Sequence, residues 1–360
     1  MKYFRETPFF TTPKFSRRGN SRSFTRLLTL GMVCFFVEPS AAAWQEPEAT
    51  CDSERRPASG VSQLRARGLL NDALETIDRE LANDPGPCRE VALRLERARV
   101  LDRIALHSQT LPATAALAEI DRAQEIQAAT NRSTTVQAEI ELGRAYYYYR
   151  AEMPDREFKQ AEKAVTRAMQ LARTAGASIL LADATHQLGL IRAQQGKTAT
   201  ARELFDKSLE LDRQGDEGNE DYMLAEYHRH IALTYILEED WSAALPHYVA
   251  SHQARLRSNA IDGSQFSALS LGDALLETDS PDAALPYFEY AFDVAGQMNS
   301  SYVKALSALR IADVLEKRGS RSEAKQHYSI AASEAAAVNR SSLVAAATSG
   351  LDRLKEAEPE

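Results

Sequence analysis

Histidine and cysteine are the side chains of this 360-residue chain best suited to metal or nucleophilic chemistry, and their spacing favours neither. His228 and His230 lie two apart, which on a helix sets them on different faces. His247 and His252 are five apart, an equally poor spacing for two ligands of one metal. No H-E-x-x-H appears, nor a phosphate-cradling G-x-G-x-x-G or G-x-x-x-x-G-K-[ST]. The acidic run Asp216-Glu217-Gly218-Asn219-Glu220-Asp221 lacks the alternating oxygen ligands of a calcium loop and reads as a solvated connector. Serines fall in turns, without a base at a telling distance. The sequence therefore predicts no catalytic residue, no metal and no cofactor. What remains is binding chemistry, and the run Tyr146-Tyr147-Tyr148-Tyr149 is its most concentrated source, since tyrosine gives contact area at low entropic cost.

Two of the three cysteines, Cys51 and Cys88, suit a structural bridge better than catalysis. The reason lies at the N-terminus. Lys2, Arg5, Lys14, Arg17, Arg18, Arg22 and Arg26 precede an apolar run from Leu27 to Val37, followed by Pro39, Ser40 and Ala41 to Ala43. A basic segment, a short apolar stretch and small residues form a secretory signal peptide, with cleavage expected after Ala43. Eleven apolar residues fall short of the roughly 20 that span a bilayer as a helix. The pair Arg17-Arg18 lacks the apolar follower of a twin-arginine signal, and Cys34 is a poor lipidation site. In an oxidising compartment Cys51 and Cys88 would bridge, closing a loop that stabilises by about 4 kcal/mol in the chain-entropy model. The expected location is exported and, in a Gram-negative source, periplasmic; a cytosolic chain with a basic N-terminal tail is the alternative.

Residues 1–43 hold 7 basic and 2 acidic groups, so the rest of the chain carries 36 basic against 49 acidic, a formal −13. Such a body disfavours nucleic acid and anionic membrane surfaces as general partners. Hydrophobic residues make up 44% and charged residues 26%, enough apolar material for an extended core. Ala, Leu, Glu, Arg and Gln dominate, the residues that lose little rotamer freedom in a helix. No alternating β-branched stretch reads as a strand. The class is all-α.

An internal repeat organises it. Twelve residues after Leu188-Gly189 comes Ala201, then Phe205 and Ser208. The same steps from Ile231-Ala232 reach Ala244, Tyr248 and Ser251. From Leu271-Gly272 they reach Ala284, Phe288 and Ala291, and from Ile311-Ala312 they reach Ala324, Tyr328 and Ala331. The pattern continues backwards with a longer gap, through Leu142-Gly143 to Ala161 and through Arg97-Ala98 to Ala116, with Pro112 opening a second helix. The earliest unit runs from Val61 and Leu64 over a turn at Gly68 to Ala73 and Ile77.

This pattern resembles the tetratricopeptide repeat, in a variant whose period is near 40 residues. The resemblance implies a right-handed α-α superhelix, a solenoid of about seven helix pairs over residues 61–335. An N-terminal segment 44–60 precedes it, and a capping helix with a tail follows over 336–360. It also implies that the first helix of each pair lines a concave groove. Arg144, Tyr147 and Tyr148 would point inward from the third pair, with Tyr146 packing between helices and Tyr149 supporting it. His186 and Gln194 would do so from the fourth pair, Arg229, Leu233 and Ile236 from the fifth, Phe266 and Asp273 from the sixth, and Asp313 from the seventh. Family members that clamp a C-terminal carboxylate carry an Asn after the small residue of the first helix. Here those places hold Arg99, Arg144, Leu190, Leu233, Asp273 and Asp313, so that mode is not expected. The expected function is an exported scaffold that holds a protein or peptide in its groove. The alternative is the sensory half of a bacterial signalling protein.

Overall fold

A computed structural model describes residues 59–108, 114–130, 133–153, 155–213, 220–258 and 261–356. The leader, Cys51, Pro112 and the first four residues of the acidic run lie outside them. Among the described residues the elements are all helices. The first pair is α1 (Ser59–Ala66) with α2 (Leu70–Leu81), and the second is α3 (Pro87–Ser108) with α4 (Thr114–Thr130). Next come α5 (Thr134–Ala151) with α6 (Lys159–Ala175), then α7 (Ser178–Gln194) with α8 (Thr198–Asp212). The array continues through α9 (Glu220–Leu237) with α10 (Trp241–Arg257), α11 (Ser264–Glu277) with α12 (Pro281–Gln297), and α13 (Ser301–Lys317) with α14 (Arg321–Ala337). A last helix, α15 (Ser341–Glu356), closes the array. Each pair packs most closely on itself and then on its neighbours in the chain, as a solenoid does.

The repeat residues build these pairs. Phe205, Tyr248, Phe288 and Tyr328 are fully buried, and each such ring withdrawn from water contributes roughly 1.5–3 kcal/mol. Small residues make the room. A Cβ on Gly189 would stand 2.6 Å from Phe205, and one on Gly272 would stand 2.5 Å from Phe288. The rings of Phe205 and Phe288 therefore lie against the first helix of their own pair. Phe205 also stacks on His230 of the next pair, so one aromatic fills both gaps. The small residue seven positions before the end of the repeat has a second use. Ser208 Oγ donates to the Ala182 carbonyl at 2.9 Å and Ser251 Oγ to the Ala225 carbonyl at 2.8 Å, the same bond in successive pairs.

The turns repeat as well. Gly196, Glu239, Asp279 and Gly319 stand at equivalent places and all take the left-handed conformation, with φ of 77°, 63°, 58° and 81°. After each, an amide N–H returns to the carbonyl five residues earlier, as from Asp240 to Tyr235 at 2.9 Å and from Ser320 to Leu315 at 2.9 Å. That bond satisfies a helix-end carbonyl that would otherwise be orphaned. Between pairs the left-handed residues are Gly176, Asn299 and Asn339.

Two features depart from the sequence reading. The segment Ser341–Glu356, expected as a cap with polar outward positions, is built like the first helix of a further pair. Its Gly350 lies under the Tyr328 ring where Gly189 lies under Phe205. The second departure is a long-range contact. Helix α3 meets α13, and Asp262, in the link before α11, bonds back to the start of the array. Its N–H donates to the Ala66 carbonyl at 3.0 Å, and its carboxylate accepts from Arg103 at 2.7 Å. His107, 3% exposed, lies between Asp262 at 3.3 Å and Ser300 at 3.0 Å and stacks on Phe266. Met298 sits on Gly68. The superhelix has turned far enough for its beginning to seat on its sixth and seventh pairs.

Candidate binding site

On a curved array the helices on the inside of the curve come closest to one another. Here α5 touches α7, α7 touches α9 and α11 touches α13, all first helices of their pairs. These helices form the inner wall, and α3 completes it by reaching α13.

The inner wall is polar and charged. Arg99 of α3, Glu139 and Tyr146 of α5, Asp183 of α7, and Tyr222 and Glu226 of α9 lie within electrostatic reach of one another. Tyr146 is 44% exposed. Even so, burial among protein groups, aided by Asp183, Tyr222 and Glu226, pushes its phenol well above the usual range. A side chain that solvent reaches while protein surrounds it lies in a recess. Asp183 belongs to the same recess. Burial raises its carboxyl to about 6, although Arg99 opposes the shift; Asp212 and Glu139 add to it.

The arginines of the wall have carboxylate partners. Arg99 pairs with Glu96 at 3.2 Å. Arg229 pairs with Glu226 at 2.7 Å, and Arg255 reaches the other oxygen of Glu226 while lying over the Tyr222 ring. Burial alone would raise Glu226, but Arg229 and Arg255 hold it well below the carboxylate range. Further round, Asp273 accepts from Arg310 at 2.6 Å across α11 and α13. By contrast, Asp183 and the Tyr146 hydroxyl make no hydrogen bond or ion pair among the described residues.

The residues predicted to face the groove divide in the structure. Arg229 and Asp273 lie on the inner wall. Gln194 is buried and bonds Tyr149 between α5 and α7. Arg144 points instead to α4, where it donates to Asp121 at 2.9 Å, because its register on α5 turns it toward the preceding pair. Tyr147 and Tyr148 contact each other edge to face, and Tyr148 packs against the core between α5 and α7. The tyrosine on the inner wall is Tyr146, one position away, while Tyr149 is buried against Phe158. His186 is buried between Phe205 and His230, Leu233 is buried, and Ile236 belongs to the core with Trp241 and Tyr248. Phe266 covers His107, and Asp313 accepts the Tyr328 hydroxyl at 2.7 Å. Arg99 and Asp183 stood in the sequence as positions around the small residue of a first helix, with no signal to single them out.

Histidines meet in pairs. His186 Nε2 and His230 Nδ1 lie 2.5 Å apart, and His228 and His247 face each other through Nδ1 at 3.1 Å. Burial lowers His186 to about 4 and, with Arg229 and His186 adding to it, takes His230 well below its ordinary value. The register that parts His228 from His230 on α9 thus gives each a partner on another helix.

No protein-family model matches the sequence, and no curated protein is similar to it. Solved structures are. The Rap protein complexed with Competence and Sporulation Factor aligns over 82% of this chain and 85% of its own, at a TM-score of 0.55 and 13% identity. Aspartyl phosphate phosphatase F from Bacillus subtilis aligns over 88% and 81% at 0.49 and 14% identity. The apo form of the quorum sensor NprR from B. thuringiensis aligns over 82% and 85% at 0.48 and 13% identity. The last two scores are too low to argue from. The fold of this chain is the tetratricopeptide-type helical-repeat superhelix.

Proposed function

We propose that this chain is an exported binding protein that holds a peptide segment of a partner against the inner wall of its superhelix. The observation that carries the reading is Tyr146, an aromatic side chain left exposed on an inner helix beside charged groups from three other helices. Repeat arrays of this kind use their extended concave surface for binding, and the similar Rap structure holds a factor by its own description. Display of random peptides against the immobilised protein tests the reading. Bound sequences should lose about tenfold or more in affinity to the Tyr146→Ala variant, on the scale of an aromatic anchor. Peptides that bind both proteins equally would overturn the site, and no bound peptide would overturn the function. Export is supported by the leader composition and by Cys88, which is disulfide-bonded. Intact mass from the native cell should begin at Trp44 and rise by about two daltons on reduction, one hydrogen for each half of a Cys51–Cys88 bridge. A full-length mass with free thiols would overturn it.

A further inference from the structure

We infer that the recess formed by Asp183 and Tyr146 is a subsite for one basic side chain, lysine or arginine, of the bound peptide. The inference rests on the peptide-binding reading above and adds the chemistry of what is bound. Three observations lead to it. First, Asp183 is a carboxylate in the midst of paired charges that has no pair. Arg99 is held by Glu96, Arg229 and Arg255 by Glu226, and Arg103 by Asp262. The groups facing Asp183 are Arg99 from α3, Glu139 from α5 and Asp212 from α8, so acid outnumbers base around it. Second, the shift of its carboxyl to about 6 registers that missing partner, since an ionised carboxylate with a cation in contact would be held low. Third, Tyr146 supplies a ring and an unbonded hydroxyl beside the carboxylate, and a cation over a phenol ring is attracted by its face.

A basic side chain satisfies all three. Its methylene stem lies along the Tyr146 ring and its head reaches the Asp183 oxygens. An anionic or purely apolar side chain would leave the carboxylate buried and unpaired. Binding of the cation favours the ionised form of Asp183, so the site releases a proton on binding and weakens as pH falls through about 6.

The test uses the full chain and an array of random decapeptides that are N-acetylated and C-amidated, so that no terminal charge competes. Anisotropy with the best peptides then compares wild type, Asp183→Asn and Tyr146→Ala. The expected result is a shared Lys or Arg in the bound sequences. Changing that residue to Ala should cost wild type about 10- to 100-fold, the scale of a charge-assisted bond, and Asp183→Asn less than about threefold. Wild-type affinity for the basic peptide should drop between pH 7.5 and 5, while Asp183→Asn stays flat. Peptides that bind wild type through Tyr146 but share no basic residue, or lose nothing in Asp183→Asn, would overturn the subsite and leave the peptide-binding function standing. If the array yields no peptide that depends on Tyr146, both fall together.

Discussion

At the scale of single residues the molecule carries groups whose burial sets clear consequences. Gln187 is fully buried in α7, and its amide nitrogen and oxygen find no partner. A buried amide left unsatisfied costs roughly 1–3 kcal/mol, so Gln187→Leu, close in volume, should raise the urea midpoint by about 1–2 kcal/mol of stability at unchanged slope. A lower midpoint would show that the amide is satisfied. The histidine pair acts in the opposite sense with pH. His186 is lowered to about 4, so between about 4 and 6.5 the unfolded chain binds more protons than the folded one. Stability is therefore full above pH 6.5 and is lost as pH falls, by roughly 2–3 kcal/mol for a shift of this size. Denaturation at pH 7.5 and pH 5 should show the loss in wild type and a smaller one in His186→Gln. Equal losses would place the acid sensitivity elsewhere. Asp183 opposes the trend, since a carboxyl raised to about 6 favours the folded state as pH falls from 6 toward 4.

Helices and turns show a different economy, in which one backbone solution is copied and the side chains vary. Glu239 and Asp279 adopt the left-handed turn conformation that Gly196 and Gly319 take at the same place. A residue with a Cβ pays about 1 kcal/mol there. Glu239→Gly should therefore raise the melting temperature, and Gly319→Val should lower it by a larger step. A fall in Glu239→Gly would mean that glycine's unfolded-state entropy outweighs the strain. This level was the most legible in the sequence. The small and aromatic residues from Gly189 to Ala331 fixed pairs, register and period, because close approach demands the same residue types at every repeat. The turns were less legible, since Glu239 and Asp279 give no sign of a left-handed backbone. The inner wall was legible only to the nearest position. Four consecutive tyrosines leave the rotation of α5 undetermined by about 100° per residue, and Tyr146 rather than Tyr147 faces inward.

The whole molecule is decided by a contact that repeat periodicity cannot encode. Every repeat residue speaks to its own pair and the next, whereas Arg103 and Asp262 meet across 159 positions because small rotations between pairs have accumulated into a turn. At that seam, burial would raise Asp262, but Arg103 and His107 hold its carboxyl far below the ordinary range, so the clasp stays ionised at any moderate pH. Removing one partner of such a pair strands the other. Asp262→Asn keeps the shape of the side chain but withdraws the charge from Arg103, and should release α1 to α3 from α11 and α13. Small-angle scattering should then report a larger radius of gyration, and amide exchange should quicken in α2 and α3 while α5 to α10 stay protected. Arg103→Gln added to Asp262→Asn removes the stranded cation and should draw the seam partly back, since neutral partners of similar shape can still bond. A scattering curve unchanged by Asp262→Asn would assign closure to Met298 on Gly68 and to Phe266 on His107 instead. Because the clasp joins the two ends of the inner wall, the same variant should also speed association of a peptide that enters between them.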